Sequence, residues 1–370
     1  MVSAAADAPR FDCTLHKSEV QLPFGLNTGD WNEDGRTDLI ISYASGHIVP
    51  FLATNNGWNA QQAIATGRTS RGIAVRDLDG DKHLDLIVAN AGSEDVAVLH
   101  GDGKGSFKEV RRFSPGISPF HPYLVDLDGS PVPDLVIVNE SNWAGTAIRG
   151  TVTVIYDFAS PQEAKPVNLT AGIYPAAAAF ADFDKKPGLD LAVVNWQSAT
   201  LSLFANQGKR SFAPHRELQY GGLVPYGVYS DDFNGDGNAD LAITDVNAGG
   251  VWVMHGDGQG DFAAARSFAA GIGARCVVGA DVDGDGQQDL VTADTAAGTV
   301  SILSGAKDGS FAAPLAIPVG PSPRMVHAED LDRDGKVDLV ATLLGGTEIA
   351  ILRQTTGKGT PCPKAEPVKR

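Results

Sequence analysis

An acidic loop that recurs seven times along the chain constrains the fold more than any other feature of the sequence. Its clearest copy spans residues 232–241, with oxygen-bearing side chains at loop positions 1, 3, 5 and 9 and Gly237 at position 6. The alternation aims several oxygens at one point, and the glycine allows the backbone to turn sharply beneath them. A hard cation such as Ca²⁺ takes about 6–8 oxygen ligands at ~2.3–2.6 Å, so the loop is typical of a calcium site.

The seven loops are almost evenly spaced, and each leads into a short apolar segment. They begin at Asp30, Asp77, Asp126, Asp182, Asp232, Asp281 and Asp330. Each repeat continues with a β-rich run, a second strand, a Gly-rich turn that usually ends in an aromatic residue, and a last strand. Another apolar run then enters the next loop. Four strands in roughly 50 residues are typical of one propeller blade. The repeat therefore predicts an all-β, seven-bladed β-propeller with four-stranded blades.

The two ends of the chain are predicted to complete one blade together. In four repeats the turn aromatic precedes a recurring site by the same distance: Trp58 to Arg71, Phe107 to Phe120, Phe262 to Arg275 and Phe311 to Arg324. Phe11 and Phe24 repeat this distance at the start of the chain, whereas the last repeat lacks its aromatic. Residues 11–22 should therefore form the outer strand of the seventh blade, which leaves no open sheet edge there. We expect a tail at residues 1–10, one propeller at residues 11–362 and a second tail at residues 363–370.

Two of the three cysteines lie close to the ends of the chain. Cys13 follows Phe11, and Cys362 follows the Gly-Lys-Gly turn at which the last strand must stop. In a closed ring these residues meet, and a disulfide between them would contribute a few kcal/mol because the closed loop is long. Two unpaired thiols of a cytosolic protein are the alternative. Cys276 lies in an inner strand and is expected to be a small core residue.

Charge and hydropathy exclude several classes of protein. The formal net charge of −16 argues against a nucleic-acid partner, which would require a basic face. Much of this acidity lies in the seven loops and is interpreted first as metal ligands. No apolar run reaches the ~18 residues that a membrane-spanning helix needs. Residues 1–9 are small and polar and do not predict a signal peptide.

The repeat resembles the FG-GAP/VCBS repeat family, which forms the propellers of integrin α-chain heads and of several secreted bacterial and fungal proteins. The motifs D-x-[DN]-x-D-G-x-x-D-L and Gly-x-Phe carry the resemblance over residues 11 to about 360. It implies a calcium-stabilised propeller that is secreted, periplasmic or on the cell surface, with its signal peptide outside this sequence. Such propellers serve adhesion, lectin and enzyme-accessory roles, so the fold does not fix the function.

Five loops keep an oxygen at all four ligand positions, which predicts about five structural calcium sites. The predicted ligands are Asp30, Asn32, Asp34 and Asp38; Asp77, Asp79, Asp81 and Asp85; Asp232, Asn234, Asp236 and Asp240; Asp281, Asp283, Asp285 and Asp289; and Asp330, Asp332, Asp334 and Asp338. Lys82 replaces the glycine of loop two, which is a mild defect. The alternative for each loop is a turn whose Asp and Asn side chains cap its own backbone without a metal.

Loops three and four, at Asp126 and Asp182, depart from the pattern. Loop three has Ser130 at position 5 and prolines at Pro131 and Pro133, so its site should be weak or empty. Loop four places Lys186 at position 5. Its ammonium is expected to replace the cation by pairing with the loop carboxylates, namely Asp182, Asp184 and Asp190.

A second pattern lies six residues before each loop, at the opposite end of the predicted inner strand. The seven residues at this position are Phe24, Arg71, Phe120, Ala176, Tyr226, Arg275 and Arg324. His121 and Tyr123 lie beside them, and the turns after the second strands should open on the same face with Asn90, Asn139, Trp143, Asn195, Trp196, Asp245 and Asp294. Arginine supplies bidentate hydrogen bonds and aromatic rings supply stacking, which suits a carboxylated or sulfated sugar or an acidic peptide side chain.

The predicted ligand-binding residues at this channel mouth are Arg71, Arg275, Arg324, Phe24, Phe120, Tyr226, His121, Trp143 and Trp196. The alternative is that the arginines pair with channel acids such as Asp245 and Asp294 while the aromatic residues close the pore. Motifs of serine hydrolases, zinc proteases and P-loop enzymes are absent from the sequence. We therefore expect a monomeric propeller that binds a carbohydrate or a protein. A polysaccharide-active enzyme of the lyase type and a scaffold without a small-molecule site stay open.

Overall fold

A computed structural model of the chain describes residues 8–55, 57–141, 148–160 and 163–364. These residues form seven antiparallel sheets. Six sheets have four strands, and the first has five because its outermost position is divided between two short strands. The predicted seven-bladed propeller is confirmed. The described residues include no helix that could span a membrane.

The strands take the same four positions in every blade. The inner strands are Pro23–Gly29, Ser70–Arg76, Pro119–Val125, Pro175–Ala181, Pro225–Asp231, Ala274–Ala280 and Pro323–Glu329. The second strands are Asp38–Tyr43, Asp85–Asn90, Asp134–Asn139, Asp190–Asn195, Asp240–Asp245, Asp289–Asp294 and Asp338–Leu343. The third strands are His47–Thr54, Asp95–Gly101, Arg149–Ile155, Thr200–Phe204, Gly250–Met254, Thr299–Leu303 and Glu348–Thr355. The outer strands are Gly57–Ala60 with Ile64–Ala65, Phe107–Phe113, Val167–Ile173, Arg216–Leu218, Arg266–Ala269, Leu315–Pro318 and Arg10–Lys17.

The core of the protein lies between neighbouring blades. Every residue of every second strand is buried, because each sheet is covered on both faces by the adjacent sheets. One core cluster joins Ile40 of blade one to Val88 of blade two, and another joins Ile41 of blade one to Val340 of blade seven. Covering both faces explains why these strands read as continuous apolar runs rather than as alternating ones.

The N-terminal strand closes the ring, as predicted. Arg10–Lys17 pairs antiparallel with Glu348–Thr355, and Phe11 lies opposite Gln354. A disulfide joins Cys13 to Cys362, whose Cα atoms are 4.6 Å apart. Cys276 is buried within an inner strand.

The fold separates the two sequence patterns onto opposite ends of the central channel. Each inner strand ends at its acidic loop and begins close to the residue six positions earlier. We call the end at which the inner strands begin the mouth, and the opposite end the loop face. The second strands return to the mouth, so the turns that follow them lie there also.

Candidate functional site

Six large side chains from the recurring position meet across the channel at the mouth. We call this set the plug; it consists of Phe24, Arg71, Phe120, Tyr226, Arg275 and Arg324. The rings of Phe24 and Phe120 lie 5.6 Å apart, and those of Phe120 and Tyr226 lie 6.1 Å apart, each pair edge to face. These rings belong to blades one, three and five, which are not neighbours, so their contacts must cross the channel axis.

The three arginines lie over the faces of these rings. The Arg71 guanidinium is 4.4 Å from the centre of the Phe24 ring, and that of Arg275 is 4.7 Å from the Tyr226 ring. Arg324 lies between the same two rings, at 4.6 Å from Phe24 and 4.5 Å from Tyr226. It also donates a hydrogen bond to the Tyr226 hydroxyl. These are cation–π distances, and the rings hold three positive charges in one place.

The positive charge of the plug is largely unbalanced. Within the described part of the chain, none of the three guanidinium groups forms an ion pair with a carboxylate, and Nε of Arg71 is buried without a hydrogen-bond partner. The acidic group that influences them is Glu140. Burial raises the pKa of Glu140 to about 7, although the electrostatic attraction of Arg71, Arg324 and Arg275 lowers it. An arginine stays protonated in proteins, so the plug is cationic throughout the neutral pH range.

Glu140 is the member of this site that the sequence analysis missed. It is the first residue after the second strand of blade three, as Trp196 is in blade four. The backbone N–H groups of both residues donate to the carbonyl of the residue before the inner strand, Ser118 at 3.0 Å and Tyr174 at 2.8 Å. Aligning the seven repeats at this position would have placed Glu140 at the mouth.

The polar residues at the ends of the second strands do not open toward a ligand, contrary to expectation. Asn90, Asn195, Asp245 and Asp294 are fully buried, and Asn139 is nearly so. Asp245 accepts hydrogen bonds from the Tyr220 hydroxyl and from the backbone N–H groups of Leu223 and Val224. Asp294 accepts from three hydroxyl groups of its own blade. These side chains satisfy the donors of their own turns, so they are not ion-pair partners of the arginines.

The remaining predicted residues lie in three different environments. His121 and Tyr123 stack on each other, with ring centres 4.8 Å apart, and line a chamber of about 240 Å³ in the channel behind the plug. Burial lowers the pKa of His121 to about 4. Trp196 contacts the ring of Tyr174 at 5.9 Å in the turn at the mouth. Trp143 lies outside the described residues.

The five predicted cation loops share one hydrogen-bonding pattern. The carboxylate at position 1 accepts the backbone N–H of position 6, at 2.8 Å from Gly35 and 2.9 Å from Lys82. Gly237, Gly286 and Gly335 donate in the same way. Lys82 adopts the left-handed conformation of the glycines that it replaces, with φ of 79° against 82° for Gly35. The substitution therefore leaves the shape of loop two unchanged.

The aspartate at position 9 has a structural role in all seven blades. One oxygen of Asp38 accepts the N–H of Trp31 at 3.0 Å, and the other accepts the N–H of Ala53 at 2.6 Å. The equivalent bonds are present for Asp85, Asp134, Asp190, Asp240, Asp289 and Asp338. Loops three and four keep these bonds although they lack the full set of predicted metal ligands. The position-nine aspartate therefore links the loop to the end of the third strand independently of a metal.

Cationic side chains contact carboxylates of the two divergent loops. Arg210 reaches from blade four into loop three, where its guanidinium contacts Asp128 at 2.7 Å and Asp157 at 2.5 Å. In loop four the Lys186 ammonium lies 2.6 Å from Asp184, but among the described residues it forms no ion pair with Asp182 or Asp190, contrary to the prediction, and its side chain is 69% exposed. Position 6 of these loops is Pro131 and Pro187, and proline lacks the N–H that position 6 donates in the other five loops.

The carboxylates of loops two and six have the spacing that a calcium ion requires. Oxygens of Asp77, Asp79 and Asp81 all lie within 4.8 Å of one another, as do three oxygens of the equivalent residues of loop six. Two ligands of one Ca²⁺ are at most about 5 Å apart, since each lies ~2.3–2.6 Å from the ion. Burial raises the pKa of Asp38 and Asp289 to about 6, and a nearby dication would offset this cost of holding the carboxylates ionised.

Solved structures with the same fold serve unrelated roles. BBS1N in complex with ARL6DN, from a crystal soaked with lead, aligns with a TM-score of 0.65 at 15% identity over 94% of this chain and 98% of that chain. Virginiamycin B lyase from Staphylococcus aureus aligns with a TM-score of 0.61 at 12% identity, over 92% and 99%. An Agrocybe aegerita lectin that recognises non-reducing terminal N-acetylglucosamine gives 0.53 at 15% identity, over 79% of each chain. At these identities the likeness shows the fold alone.

Sequence comparison finds the repeat itself. No curated protein matches the chain. The profile of the FG-GAP-like repeat matches residues 30–88, 77–137, 232–292 and 281–341, which together cover more than half of the chain. Each matched segment begins at the first aspartate of a loop that keeps all four ligand positions. The chain therefore belongs to the family of FG-GAP-like repeat proteins.

Proposed function

We propose that this protein is a calcium-stabilised binding propeller that recognises an anionic ligand at the mouth, opposite the cation loops. One observation carries the proposal: three guanidinium groups meet over three aromatic rings with Glu140 as the acidic group that faces them. A carboxylate or sulfate group of a carbohydrate or protein ligand would supply the missing negative charge through bidentate hydrogen bonds. The chain has no recognisable catalytic motif, which favours binding over catalysis.

Calcium at about five loops is the second part of the proposal. Loops one, two, five, six and seven carry the predicted ligands, and the carboxylate oxygens of loops two and six lie close enough together to share one ion. Burial and mutual repulsion disfavour the ionised form of these carboxylates, and each ion would neutralise their charge. It would also hold the inner strand to its neighbour. Loops three and four would hold Arg210 and Lys186 instead.

We also propose that the protein works as a monomer outside the reducing cytosol, in a secreted, periplasmic or cell-surface setting. The Cys13–Cys362 disulfide supports this location, because disulfides persist in oxidising compartments and are rare in the cytosol.

Anion binding can be tested with two acidic probes, a glutamate-rich peptide and polygalacturonate, measured by calorimetry at low and moderate salt. We expect the wild-type protein to bind at least one probe and to bind it more weakly as salt rises. The variant Arg71→Gln/Arg275→Gln/Arg324→Gln should lose this binding. Arg266→Gln is the matched control, since Arg266 also lies over an aromatic ring, Phe268, but in an outer strand. Equal binding by the triple variant and the wild type would rule out the mouth as the site.

A further inference from the structure

The surface around the plug is aliphatic. Among the described residues, six large apolar side chains are more than a third exposed, and five of them lie at the mouth: Leu22, Ile117, Ile148, Leu223 and Ile272. Four of these precede inner strands of different blades, and Ile148 precedes the third strand of blade three. The sixth, Val110, lies in an outer strand. Exposed apolar residues on ordinary surfaces are scattered singly, whereas their concentration on one face marks an interaction surface.

Two of these side chains form a groove on blade three. Ile117 and Ile148 line a cavity of about 240 Å³ together with Asn139, Ser141 and Arg149. The side-chain oxygen of Asn139 is buried and has no hydrogen-bond partner in the described part of the protein. The groove thus presents two branched aliphatic walls, whereas Asn139 itself is only 1% exposed.

The groove adjoins the plug. Ile117 and Phe120 belong to the same short segment, so one segment of blade three carries both a wall of the groove and a residue of the plug. On the other side Glu140 follows Asn139, and its backbone N–H donates to the carbonyl of Ser118 at 3.0 Å. A single extended segment of a ligand could therefore contact the aliphatic groove and the arginines at once.

The same geometry disfavours a sugar as the ligand. Sugar rings bind by stacking on open aromatic faces, but Phe24 and Phe120 are only 2% and 4% exposed, and Arg71 and Arg324 cover them. Arg324 is itself only 6% exposed and Arg71 and Arg275 are half-buried, so the branched aliphatic side chains are more accessible at the mouth than the guanidinium groups. Apolar contacts around a buried charge partner are typical of protein–protein interfaces.

Resting on the proposed function, we infer that the ligand is a protein partner, which presents an aspartate or glutamate side chain to the plug and a neighbouring aliphatic side chain to the groove of blade three. The unbalanced guanidinium groups select the carboxylate, and the paired isoleucines select the apolar neighbour. The ring of exposed aliphatic residues on the other blades widens the contact.

The test uses the whole protein and a phage-displayed library of random dodecapeptides, followed by fluorescence anisotropy with the selected peptides. Sulfated and uronate oligosaccharides are measured in parallel on the same protein. We expect selected peptides to combine Asp or Glu with Leu, Ile or Val, and to lose affinity at least about tenfold when the acid becomes its amide. Ile117→Ser/Ile148→Ser should weaken peptide binding by a similar factor. Val110→Ser is the matched control and should bind as the wild type does.

The possible outcomes separate this inference from the proposed function. Oligosaccharide binding that needs the plug arginines but not the isoleucines would overturn the protein partner and leave an anion-binding mouth intact. Peptides selected without an acidic residue, or bound equally well by the isoleucine variant, would also overturn it. Binding of neither probe class would reject both proposals. Unchanged melting temperatures of the serine variants show that the exposed substitutions leave the fold intact.

Discussion

At the scale of single residues, the ionisation state of Glu140 determines the net charge at the mouth. Glu140 faces three guanidinium groups, yet burial raises its pKa to about 7, so its protonation changes near neutral pH. Below this pH the plug carries three positive charges without a counter-charge, and above it one of them is balanced. The charge available to an anionic ligand therefore falls as the pH rises through about 7.

This titration predicts a pH dependence of ligand binding. An acidic peptide should bind a few-fold more tightly at about pH 6 than at about pH 8, because at the lower pH the protonated Glu140 no longer repels the ligand. The Glu140→Gln variant should bind equally at both values, at the affinity of the low-pH form. Anisotropy titrations at the two pH values measure the ratio. A ratio that the substitution does not change would show that another group is responsible.

His121 predicts a pH dependence of the stability of the fold. The folded protein should become less stable as the pH falls. The pKa of His121 falls from 6.5 to about 4 on folding because burial disfavours the imidazolium. The unfolded chain therefore takes up a proton first as the pH falls below about 6.5, and the folded state loses stability until about pH 4. Between pH 7 and pH 5 the loss amounts to about 2 kcal/mol.

The His121→Gln variant should lose correspondingly less unfolding free energy over this pH interval. Urea denaturation at several pH values gives the two slopes. Identical slopes for the variant and the wild type would show that folding does not desolvate this imidazole.

At the scale of the element, the loop and its two flanking strands are one unit. The position-nine aspartate joins the loop to the end of the third strand in every blade, as Asp134 does for Leu127 and Asp157. The centre of the loop is the part that varies. Where proline removes the position-six N–H, a side chain such as Arg210 or Lys186 supplies positive charge.

Arg210 should consequently matter more than an ordinary surface arginine. Its guanidinium bridges Asp128 and Asp157, which belong to different segments of blade three, and it lies 5.3 Å from the centre of the Tyr156 ring. We expect Arg210→Ala to lower the melting temperature by a few degrees, because two carboxylates lose their counter-charge. Arg36→Ala is the matched control, since Arg36 pairs with Asp34 within one exposed loop, and such pairs contribute little. Equal shifts for the two variants, measured by calorimetry, would contradict this role.

The sequence predicts repeats better than it predicts single exceptions to them. The seven loops and the regular position of Phe24, Arg71 and their equivalents follow from periodicity, so both the fold and the meeting of these residues could be anticipated. Aligning the repeats places Glu140 at the mouth, but its burial near the three arginines could not be anticipated, because it belongs to the one blade with an insertion. The repeat also does not predict the direction of a side chain. Asp245 lies at the mouth, but its carboxylate turns inward and accepts a hydrogen bond from Tyr220. Single apolar residues in turns, such as Leu223, have no periodic signal.

At the scale of the whole molecule, stability depends on how the ring closes. The first strand completes the seventh blade, and the disulfide fixes the last residues of the chain to that strand. The core between blades seven and one then becomes continuous with the others, as the contacts of Leu331 and Val340 with the first blade show. A ring opened at this point would expose two sheet faces at once.

Removal of the disulfide should therefore weaken the entire propeller. The two cysteines are 349 residues apart, and for so long a loop the chain-entropy estimate is about 6 kcal/mol. We expect Cys13→Ser/Cys362→Ser to melt well below the wild type, and reductant to lower the melting temperature of the wild type only. Cys276→Ser is the control for a thiol that takes no part in closure and should keep its response to reductant. A reductant-insensitive wild type would argue against the bridge.

The most direct test of a calcium-stabilised propeller is a calorimetric titration of chelator-treated protein with Ca²⁺, with melting curves recorded at each addition. We expect the uptake of about five equivalents and a melting temperature that rises by several degrees more than with Mg²⁺ at equal ionic strength, because ions bound only by the folded state stabilise it. No uptake of calcium, together with a melting temperature that neither chelator nor calcium changes, would contradict it.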